Sequence, residues 1–241
     1  MTDFRKRLRS GETVYGIWSL LGSAVVASAS AEADFVVADL QHGLAAECDI
    51  PAFAGAAERA GVVPLVRTRS PLFPDIGRVL DLGGHGVLIP NVRDREHVRQ
   101  VVAASRYGPD GTRSIGRLLG GSDDPACLIV LETQEALDDL EAIVEVEGLD
   151  GIYVGPKDLG LSMSRNGETG QGSVPAAITR IAKVCTAAGL PFGVHAVDSD
   201  DASRYVGLGA TIVTAAVDVP VMASALGASL AATRAMSWPR T

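Results

Sequence analysis

Short apolar runs alternate with longer, alanine-rich stretches along this chain. The runs consist mainly of Val, Ile, Leu and Phe, as buried strands do, and the stretches have the spacing of helices that pack against a sheet. We predict strands at 15–19, 35–39, 63–67, 86–89, 128–132, 151–154, 192–195 and 211–214. We predict helices at 50–60, 94–104, 134–145, 175–188, 200–208 and 221–232.

The order of these elements predicts one closed α/β domain. Eight strands alternating with helices, without a linker, are the pattern of a (β/α)8 TIM barrel, and a chain of 241 residues has a usual length for one. An open doubly wound sheet is the alternative, but such sheets usually have fewer strands. Gly61, Gly189 and Gly209 each follow a predicted helix, where glycine commonly ends helices. We therefore expect a single TIM-barrel domain over residues 1–241, with its active site at the C-terminal ends of the strands.

A glycine-rich segment, 105–124, lies between the fourth and fifth predicted strands. Because loops of this length in compact domains are usually functional, we expect it to cover the active face.

Composition and charge exclude several classes of protein. Hydrophobic residues make up 47% of the chain and charged residues 21%, which is ordinary for a folded globular protein. The net charge of -8 argues against a nucleic-acid partner, since phosphate binding needs concentrated Lys and Arg. No apolar run approaches the roughly 20 residues that span a bilayer, so we expect no membrane partner. Three cysteines without CxxC spacing fit a reducing cytoplasm.

The N-terminal region imitates a secretory signal, because Arg5, Lys6 and Arg7 precede an apolar stretch and the small residues 27–30. Cleavage there would remove the first predicted strand, so we interpret the region as part of the barrel. The arginines are then expected to form at most an exposed cationic patch.

Polar residues follow several predicted strands at the end where barrels carry out chemistry: Asp39 and His42, Arg67, Glu132, Asp158 and His195. Carboxylates are ligands that divalent cations prefer, so we expect Glu132 and Asp158 to hold a metal ion. Asp158 taken alone is also a plausible helix N-cap. For Glu132 that alternative is weaker, because Thr133 is the better capping residue.

His42 and Arg67 are candidate catalytic residues. A neutral imidazole is a suitable general base, and either Asp39 or Asp81 could orient it, although a loop histidine is often only a solvent-facing group. The guanidinium of Arg67 suits an anionic or oxyanionic substrate group. A salt bridge from Arg67 to Asp39 or Asp81 is the structural alternative, and both roles are compatible.

Lys157 is the only serious candidate for a Schiff base among three lysines. Asp158 beside it favours the charged amine, which argues against this route. The glycines at 83–86 and 120–121 lack the spacing of a phosphate loop, so we expect an unphosphorylated substrate.

Five segments in order resemble the metal-dependent pyruvate aldolases of the HpcH/HpaI family, whose type member is 4-hydroxy-2-oxoheptanedioate aldolase. They are Asp34-Phe-Val-Val-Ala-Asp-Leu-Gln-His-Gly43, Pro64-Leu-Val-Arg67, Leu80-Asp-Leu-Gly83, Leu131-Glu-Thr133 and Gly155-Pro-Lys-Asp-Leu159. The likeness extends from Gly16-Ile-Trp18 to the last helix. It implies a carbon-carbon lyase that reversibly cleaves 4-hydroxy-2-oxo acids to pyruvate, or a related 2-oxo acid, and an aldehyde.

The resemblance also implies roles for individual residues. Glu132 and Asp158 would bind Mg²⁺, Mn²⁺ or Co²⁺, and His42 would be the base that acts through a metal-bound water. Arg67 would stabilise the enolate, and Asp81 would support His42.

The remaining implications concern substrate contacts and assembly. Trp18, Gly155, Pro156 and Lys157 would contact the substrate, with Lys157 acting through its backbone. The family assembles through its last helices, so a homo-oligomer, a trimer or hexamer, is expected.

Three residues depart from the family pattern. Gln41 stands where a glutamate is usual, Val130 where a glutamine is usual, and His85 where glutamine is common. Two alternatives stay open besides the imine route: a related barrel lyase of citramalyl or malyl thioesters, and a degenerate barrel, suggested by Val130, that binds 2-oxo acids without turnover. The first needs a surface for coenzyme A, which the sequence does not indicate.

Overall fold

Eight parallel strands close into a barrel in the computed structural model, which describes residues 4–116, 119–165, 173–196 and 198–236. Each strand is hydrogen-bonded to the next in chain order, and the last is hydrogen-bonded to the first. The predicted TIM barrel is confirmed, and the open sheet is excluded. The strands are β1 (Val14–Ser19), β2 (Phe35–Asp39), β3 (Val63–Arg67), β4 (Gly86–Ile89), β5 (Ala126–Leu131), β6 (Gly151–Val154), β7 (Phe192–Val194) and β8 (Ile212–Val217).

Helices connect the strands on the outside of the barrel. They are α1 (Phe4–Arg9), α2 (Ala24–Ala29), α3 (Ile50–Arg59), α4 (Phe73–Asp81), α5 (Arg95–Ser105), α6 (Gln134–Asp138), α7 (Leu140–Ile143), α8 (Pro156–Arg165), α9 (Ser173–Ala188), α10 (Ser199–Gly207) and α11 (Asp218–Ala235), with a short 3-10 helix at Glu47–Asp49. The predicted helix 134–145 is two helices that meet at Asp139. The prediction missed α1, α2, α4 and α8. Gly61, Gly189 and Gly209 have φ of 79°, 66° and 94°, so the predicted helix stops are confirmed.

Successive residues of each strand pack on opposite sides of the barrel wall. In β2, Phe35 and Val37 belong to the interior cluster, whereas Val36 packs with the surrounding helices. Both faces are buried, which explains why the strands are apolar throughout. The interior is a packed core, and the open pocket is confined to its C-terminal end.

The helix α1 closes the N-terminal end of the barrel. Phe4 and Leu8 are buried in the interior cluster, and the Phe4 ring lies 5.8 Å from the Phe35 ring. Arg5 donates through Nε to Oδ1 of Asp150 at 2.7 Å, so this arginine is not part of the exposed cationic patch that the sequence suggested. The side chain of Asp150 is fully buried.

The segment 105–124 lies at the end of the barrel opposite to the one predicted. It follows α5, which runs antiparallel to the strands and therefore ends beside their N-terminal ends. Arg106 donates to the carbonyl oxygen of Pro125 and, over 2.8 Å, to Oδ2 of Asp150, directly before β5 and β6. The expectation that the segment covers the active face is wrong for its described residues; 117–118 lie outside them.

The last helix, α11, leaves the barrel. It spans 18 residues, none of which is buried. Across the described residues, no helix combines the length and apolar character that a membrane crossing requires.

Candidate active site

A cavity of about 210 Å³ opens at the C-terminal ends of the strands. It brings together all but one of the residues predicted from the sequence: Trp18, Asp39, His42, Arg67, Glu132, Gly155, Pro156, Lys157 and Asp158. Tyr153, His195 and Val130 also line it. The residues come from six different strands or the segments that follow them, so only the closed barrel makes them neighbours.

Asp39 and Arg67 form a buried ion pair across β2 and β3, where they are direct partners in the strand register. Arg67 donates from Nε to Oδ1 at 2.8 Å, and one terminal nitrogen donates to Oδ2. The indole N–H of Trp18 donates to the same Oδ2 at 3.2 Å, and the guanidinium lies 5.0 Å from the centre of the Trp18 ring. Burial raises the pKa of Asp39, but the hydrogen bonds and charge of Arg67 outweigh it, so the pKa lies below its ordinary value.

Asp39 also shapes the turn that carries His42. Its Oδ1 accepts the backbone N–H groups of Gln41 at 2.9 Å and His42 at 3.1 Å. A Cβ at Gly43 would lie 2.2 Å from the Asp39 carbonyl oxygen and 2.7 Å from that of Leu20, so this turn requires glycine. The carboxylate thus holds the backbone of the turn. The imidazole of His42 is exposed and has no side-chain hydrogen bond within the described chain.

Asp81 is the one predicted site residue that the structure does not bring to the cavity. It is the last residue of α4, which runs back toward the N-terminal end of the barrel. There its Oδ1 accepts a 2.6 Å hydrogen bond from a buried Arg113. Support of His42 by Asp81 of the same chain, and a salt bridge from Arg67 to Asp81, are therefore wrong.

Glu132 and Asp158, which follow the neighbouring strands β5 and β6, both line the cavity. Glu132 directly follows β5, is buried, and accepts the backbone N–H of Asn91 at Oε1 over 2.8 Å. Burial raises the pKa of Glu132 and the charge of Asp158 adds to this, while the Asn91 hydrogen bond opposes it. Asp158 is exposed in the first turn of α8.

Three observations bear on whether this pair suits a metal ion. Thr133 caps α6 by accepting the N–H of Ala136, so Glu132 has no capping duty, as predicted. A Cβ at Gly155 would lie 3.2 Å from Oε2 of Glu132, so the absence of a side chain there leaves space beside the oxygen that is not bound to Asn91. Over the described residues, no group of three or more His, Cys, Asp or Glu is arranged as metal ligands. Two carboxylates suffice for cations that also bind water and substrate oxygens.

The sequence did not predict the wall formed by Tyr153, His195 and Thr214. Tyr153 stacks on Trp18 with ring centres 5.3 Å apart, and the edge of His195 meets Trp18 at 5.2 Å and 79°. The Tyr153 hydroxyl lies 3.3 Å from Nδ1 of His195 and is hydrogen-bonded to Oγ1 of Thr214. His195 was visible as a polar residue at a strand end, whereas Tyr153 lies in an apolar run that predicts only core.

Burial alters the acid-base behaviour of this wall. It lowers the pKa of His195, and the charges of Arg67 and Lys157 lower it further. Burial also raises the pKa of Tyr153. Both side chains are therefore neutral near pH 7.

The chain is similar to known proteins over almost its whole length. The family model described as HpcH/HpaI aldolase/citrate lyase matches residues 15–225. A hydroxypyruvate/pyruvate aldolase of Cupriavidus necator is 34% identical, with 92% of this chain and 88% of that protein covered. A 2-keto-3-deoxy-L-rhamnonate aldolase of Escherichia coli K12 is 33% identical, with 95% and 91% covered. The crystal structure of an HpcH/HpaI aldolase/citrate lyase family protein from Burkholderia cenocepacia J2315 superposes with a TM-score of 0.88 at 26% identity, covering 98% of this chain and 100% of that one.

Proposed function

This chain belongs to the HpcH/HpaI aldolase/citrate lyase family, and we propose that the cavity at the C-terminal end of its barrel is the active site of a class II pyruvate aldolase. The enzyme is a carbon-carbon lyase that cleaves 4-hydroxy-2-oxo acids reversibly to pyruvate and an aldehyde. The assignment of the site rests on one observation: Glu132, Asp158 and Arg67 line the same cavity.

Glu132 and Asp158 are the proposed ligands of the divalent metal on which the family generally depends. The space beside Gly155 and Oε2 of Glu132, which accepts no hydrogen bond within the described part of the chain, fit a cation at this position. Two carboxylates that leave room for water and substrate oxygens suit Mg²⁺, Mn²⁺ or Co²⁺ better than tetrahedral zinc. When bound, the metal supplies Lewis-acid polarisation of the 2-oxo group.

Arg67 is proposed to stabilise the negative charge that develops on the keto oxygen. Its Nε and one terminal nitrogen bind Asp39, and the other terminal nitrogen, which has no hydrogen-bond partner among the described residues, can donate to the substrate. The ion pair and the Trp18 ring hold the guanidinium before substrate binds. A donor fixed in advance needs no reorganisation during the reaction, and this is the source of its catalytic effect.

His42 is the proposed general base for cleavage. It accepts the proton of the 4-hydroxyl group, whose oxygen then forms the carbonyl of the leaving aldehyde. The bond between C3 and C4 breaks, and its electrons form a double bond between C2 and C3 that leaves the negative charge on the keto oxygen. Protonation at C3 then gives pyruvate. An exposed imidazole at the mouth of the cavity is placed to exchange this proton with solvent.

The start of α8 is proposed to bind the substrate carboxylate. Pro156 is its first residue and has no N–H, so the amide groups of Lys157 and Asp158 are the first free donors of the helix. The N-terminus of a helix favours anions. The interaction involves the Lys157 backbone and leaves its amine outside the chemistry.

Release of pyruvate from a 4-hydroxy-2-oxo acid, measured with and without chelator, tests this function. We expect chelator to abolish turnover, Mg²⁺, Mn²⁺ or Co²⁺ to restore it, and Glu132→Gln to remain inactive in either condition. Glu135→Gln, on the exposed side of α6, is the matched control and should remain active. Undiminished turnover in chelator would contradict the metal role, and trapping of Lys157 by borohydride with pyruvate would favour the imine route.

We propose that α11 joins copies of this chain into a homo-oligomer. The helix exposes Val221, Met222, Leu226 and Leu230 and has no buried residue. A groove of about 470 Å³ lies at its base, against β1, β8 and α2, where a TIM barrel usually has a helix on its outer wall. Helix α11 of one copy therefore has a complementary site on another, as in domain-swapped assemblies.

A further inference from the structure

Three side chains linked by hydrogen bonds form one wall of the cavity, at the strands β6, β7 and β8. Thr214 and Tyr153 are 2% and 1% exposed, so their hydroxyl groups must find partners inside the protein. Tyr153 is bonded to Oγ1 of Thr214 on one side and to Nδ1 of His195 on the other. His195 follows the last residue of β7 and lines the cavity.

Among Thr214, Tyr153 and His195, one placement of the hydroxyl and ring hydrogen atoms gives every buried hydroxyl group a partner. Within the described residues, Oγ1 of Thr214 has no partner other than Tyr153. If Tyr153 donated to Thr214, the Thr214 hydroxyl hydrogen would be buried without an acceptor, which is costly. Thr214 therefore donates to Tyr153, and Tyr153 donates to Nδ1 of His195.

This arrangement fixes the tautomer of His195. A neutral imidazole that accepts at Nδ1 carries its hydrogen at Nε2. The positive charges of Arg67 and Lys157 oppose a second proton on the ring. Nε2 has no hydrogen bond to the described protein, so it presents an N–H donor to the cavity.

We propose that His195 is a specificity-determining residue whose Nε2–H donates a hydrogen bond to a hydroxyl oxygen of the substrate, with Tyr153 as its positioning residue. The inference rests on the proposed function, because it takes this cavity as the aldolase site. A neutral donor suits a neutral oxygen, whereas the charged Arg67 and the start of α8 suit the oxyanion and the carboxylate. The edge-to-face contact with the Trp18 ring holds the imidazole in place at the cavity.

The recognised hydroxyl group belongs either to C3 of a hydroxylated 2-oxo acid or to a hydroxylated aldehyde. Two substrate pairs distinguish them: hydroxypyruvate against pyruvate with one aldehyde, and glycolaldehyde against acetaldehyde with pyruvate. In the pair that contains the recognised hydroxyl, we expect His195→Leu to lower kcat/KM for the hydroxylated member about tenfold relative to its partner, as expected for one neutral hydrogen bond. His195→Gln, which keeps a donor, should restore part of the ratio, and Tyr153→Phe should lower it less than His195→Leu does.

The selectivity ratio separates this proposal from a structural role. A variant that only loosens the wall would lower kcat/KM equally for both members of each pair, and that result would overturn the proposal. His97→Leu, on α5 away from the cavity, is the matched control and should leave both ratios unchanged.

Nitrogen-15 spectra of histidine-labelled protein test the tautomer without reference to activity. The chain has four histidines, so the His195 signals are identified by their loss in His195→Gln. We expect a protonated Nε2 and an unprotonated Nδ1; the opposite tautomer would overturn the proposal. If no wild-type aldol reaction occurs with either pair, the proposed function fails, and the spectrum still decides whether His195 is a donor.

Discussion

At the scale of single residues, Asp39 connects three parts of the site. Its two oxygens hold the guanidinium of Arg67, the indole of Trp18 and the backbone of the turn that carries His42. Because all of these depend on one buried carboxylate, its replacement changes the position of the oxyanion donor and of the proposed base together.

We predict that Asp39→Asn lowers kcat/KM by about 100-fold to 1,000-fold, similar to the loss of a fixed oxyanion donor. The amide cannot neutralise Arg67, which then lacks its bidentate partner inside the protein. Steady-state kinetics of pyruvate release measure the effect, with the exposed Asp110→Asn as the control. Wild-type kinetics in the folded Asp39→Asn protein would show that Arg67 is positioned without this pair.

Asp39 also predicts a pH dependence of stability. Its folded pKa lies below the unfolded value of about 3.9, so the unfolded chain binds its proton first as the pH falls. The contribution of this group is complete above the unfolded pKa and is lost as the pH falls through the folded pKa. We expect the free energy of unfolding of wild type to decline more steeply than that of Asp39→Asn as the pH falls below about 4. Urea unfolding at several pH values measures both slopes, and equal slopes would contradict the lowered pKa.

The three cysteines should differ sharply in reactivity. Burial raises the pKa of Cys127 to about 11 and that of Cys185 to about 12, whereas Cys48 is exposed. The thiolate is the reactive form, so an aromatic disulfide reagent at pH 8 should modify Cys48 alone in the native protein. All three should react in denaturant. Rapid native modification of a second thiol, with Cys48→Ser as the reference, would contradict this prediction.

At the scale of elements, the strands were predictable because their sequence signal is local. The strands β2, β3, β4 and β6 have the predicted bounds. Each is buried on both faces, so its residues are apolar, and a charged residue stands only at the last position of β2 and β3. The missed helix α1 has a different signal. Its arginines look like a solvated patch in the sequence, but Arg5 and Arg9 both donate to Asp150, which lies 145 residues away from Arg5. Only the tertiary structure makes them neighbours.

The closure of the barrel by α1 predicts a specific loss of stability. Asp150 accepts hydrogen bonds from Arg5, Arg9 and Arg106 and from the backbone N–H of Cys127. We expect Asp150→Asn to reduce the free energy of unfolding by about 3–5 kcal/mol, because it leaves the buried guanidinium of Arg106 without its carboxylate partner. Urea unfolding measures the change. Asp110→Asn, at an exposed position, is the control, and an equal effect of the two substitutions would contradict the role assigned to Asp150.

At the scale of the whole molecule, the candidate site was predictable as far as topology alone determines it. The C-terminal ends of parallel strands converge in any closed barrel, so Arg67, Glu132 and Asp158 could be placed together from the sequence. Asp81 could not be placed in this way, because it is the last residue of a helix. Helices in this fold begin near the C-terminal ends of the strands and finish near the N-terminal ends, away from the site. The same rule explains the incorrect expectation for the segment 105–124. A residue's distance along the chain from a strand end thus matters less than whether a helix intervenes.

The exposed surface of α11 gives the last prediction, which concerns assembly. The helix α11 has no buried residue and is held to its own barrel at its start, where Asp218 accepts hydrogen bonds from Ser19, Leu20 and Leu21. It leaves open the groove at its base. We expect wild-type protein to sediment well above the 24.9 kDa of one chain, and the double variant Leu226→Glu, Leu230→Glu to dissociate. Ala33→Glu, in the groove itself, should weaken assembly in the same way, since a charge there opposes an apolar helix.

Analytical ultracentrifugation of these variants separates helix exchange from other modes of association. Val206→Glu, an exposed apolar position on α10, is the control and should leave the sedimentation coefficient unchanged. If the helix variant dissociates while the groove variant stays assembled, α11 binds somewhere other than this groove. A monomeric wild type would contradict the assembly proposal altogether, and α11 would then have to be stable in water without any apolar partner, which its exposed Leu226 and Leu230 make costly.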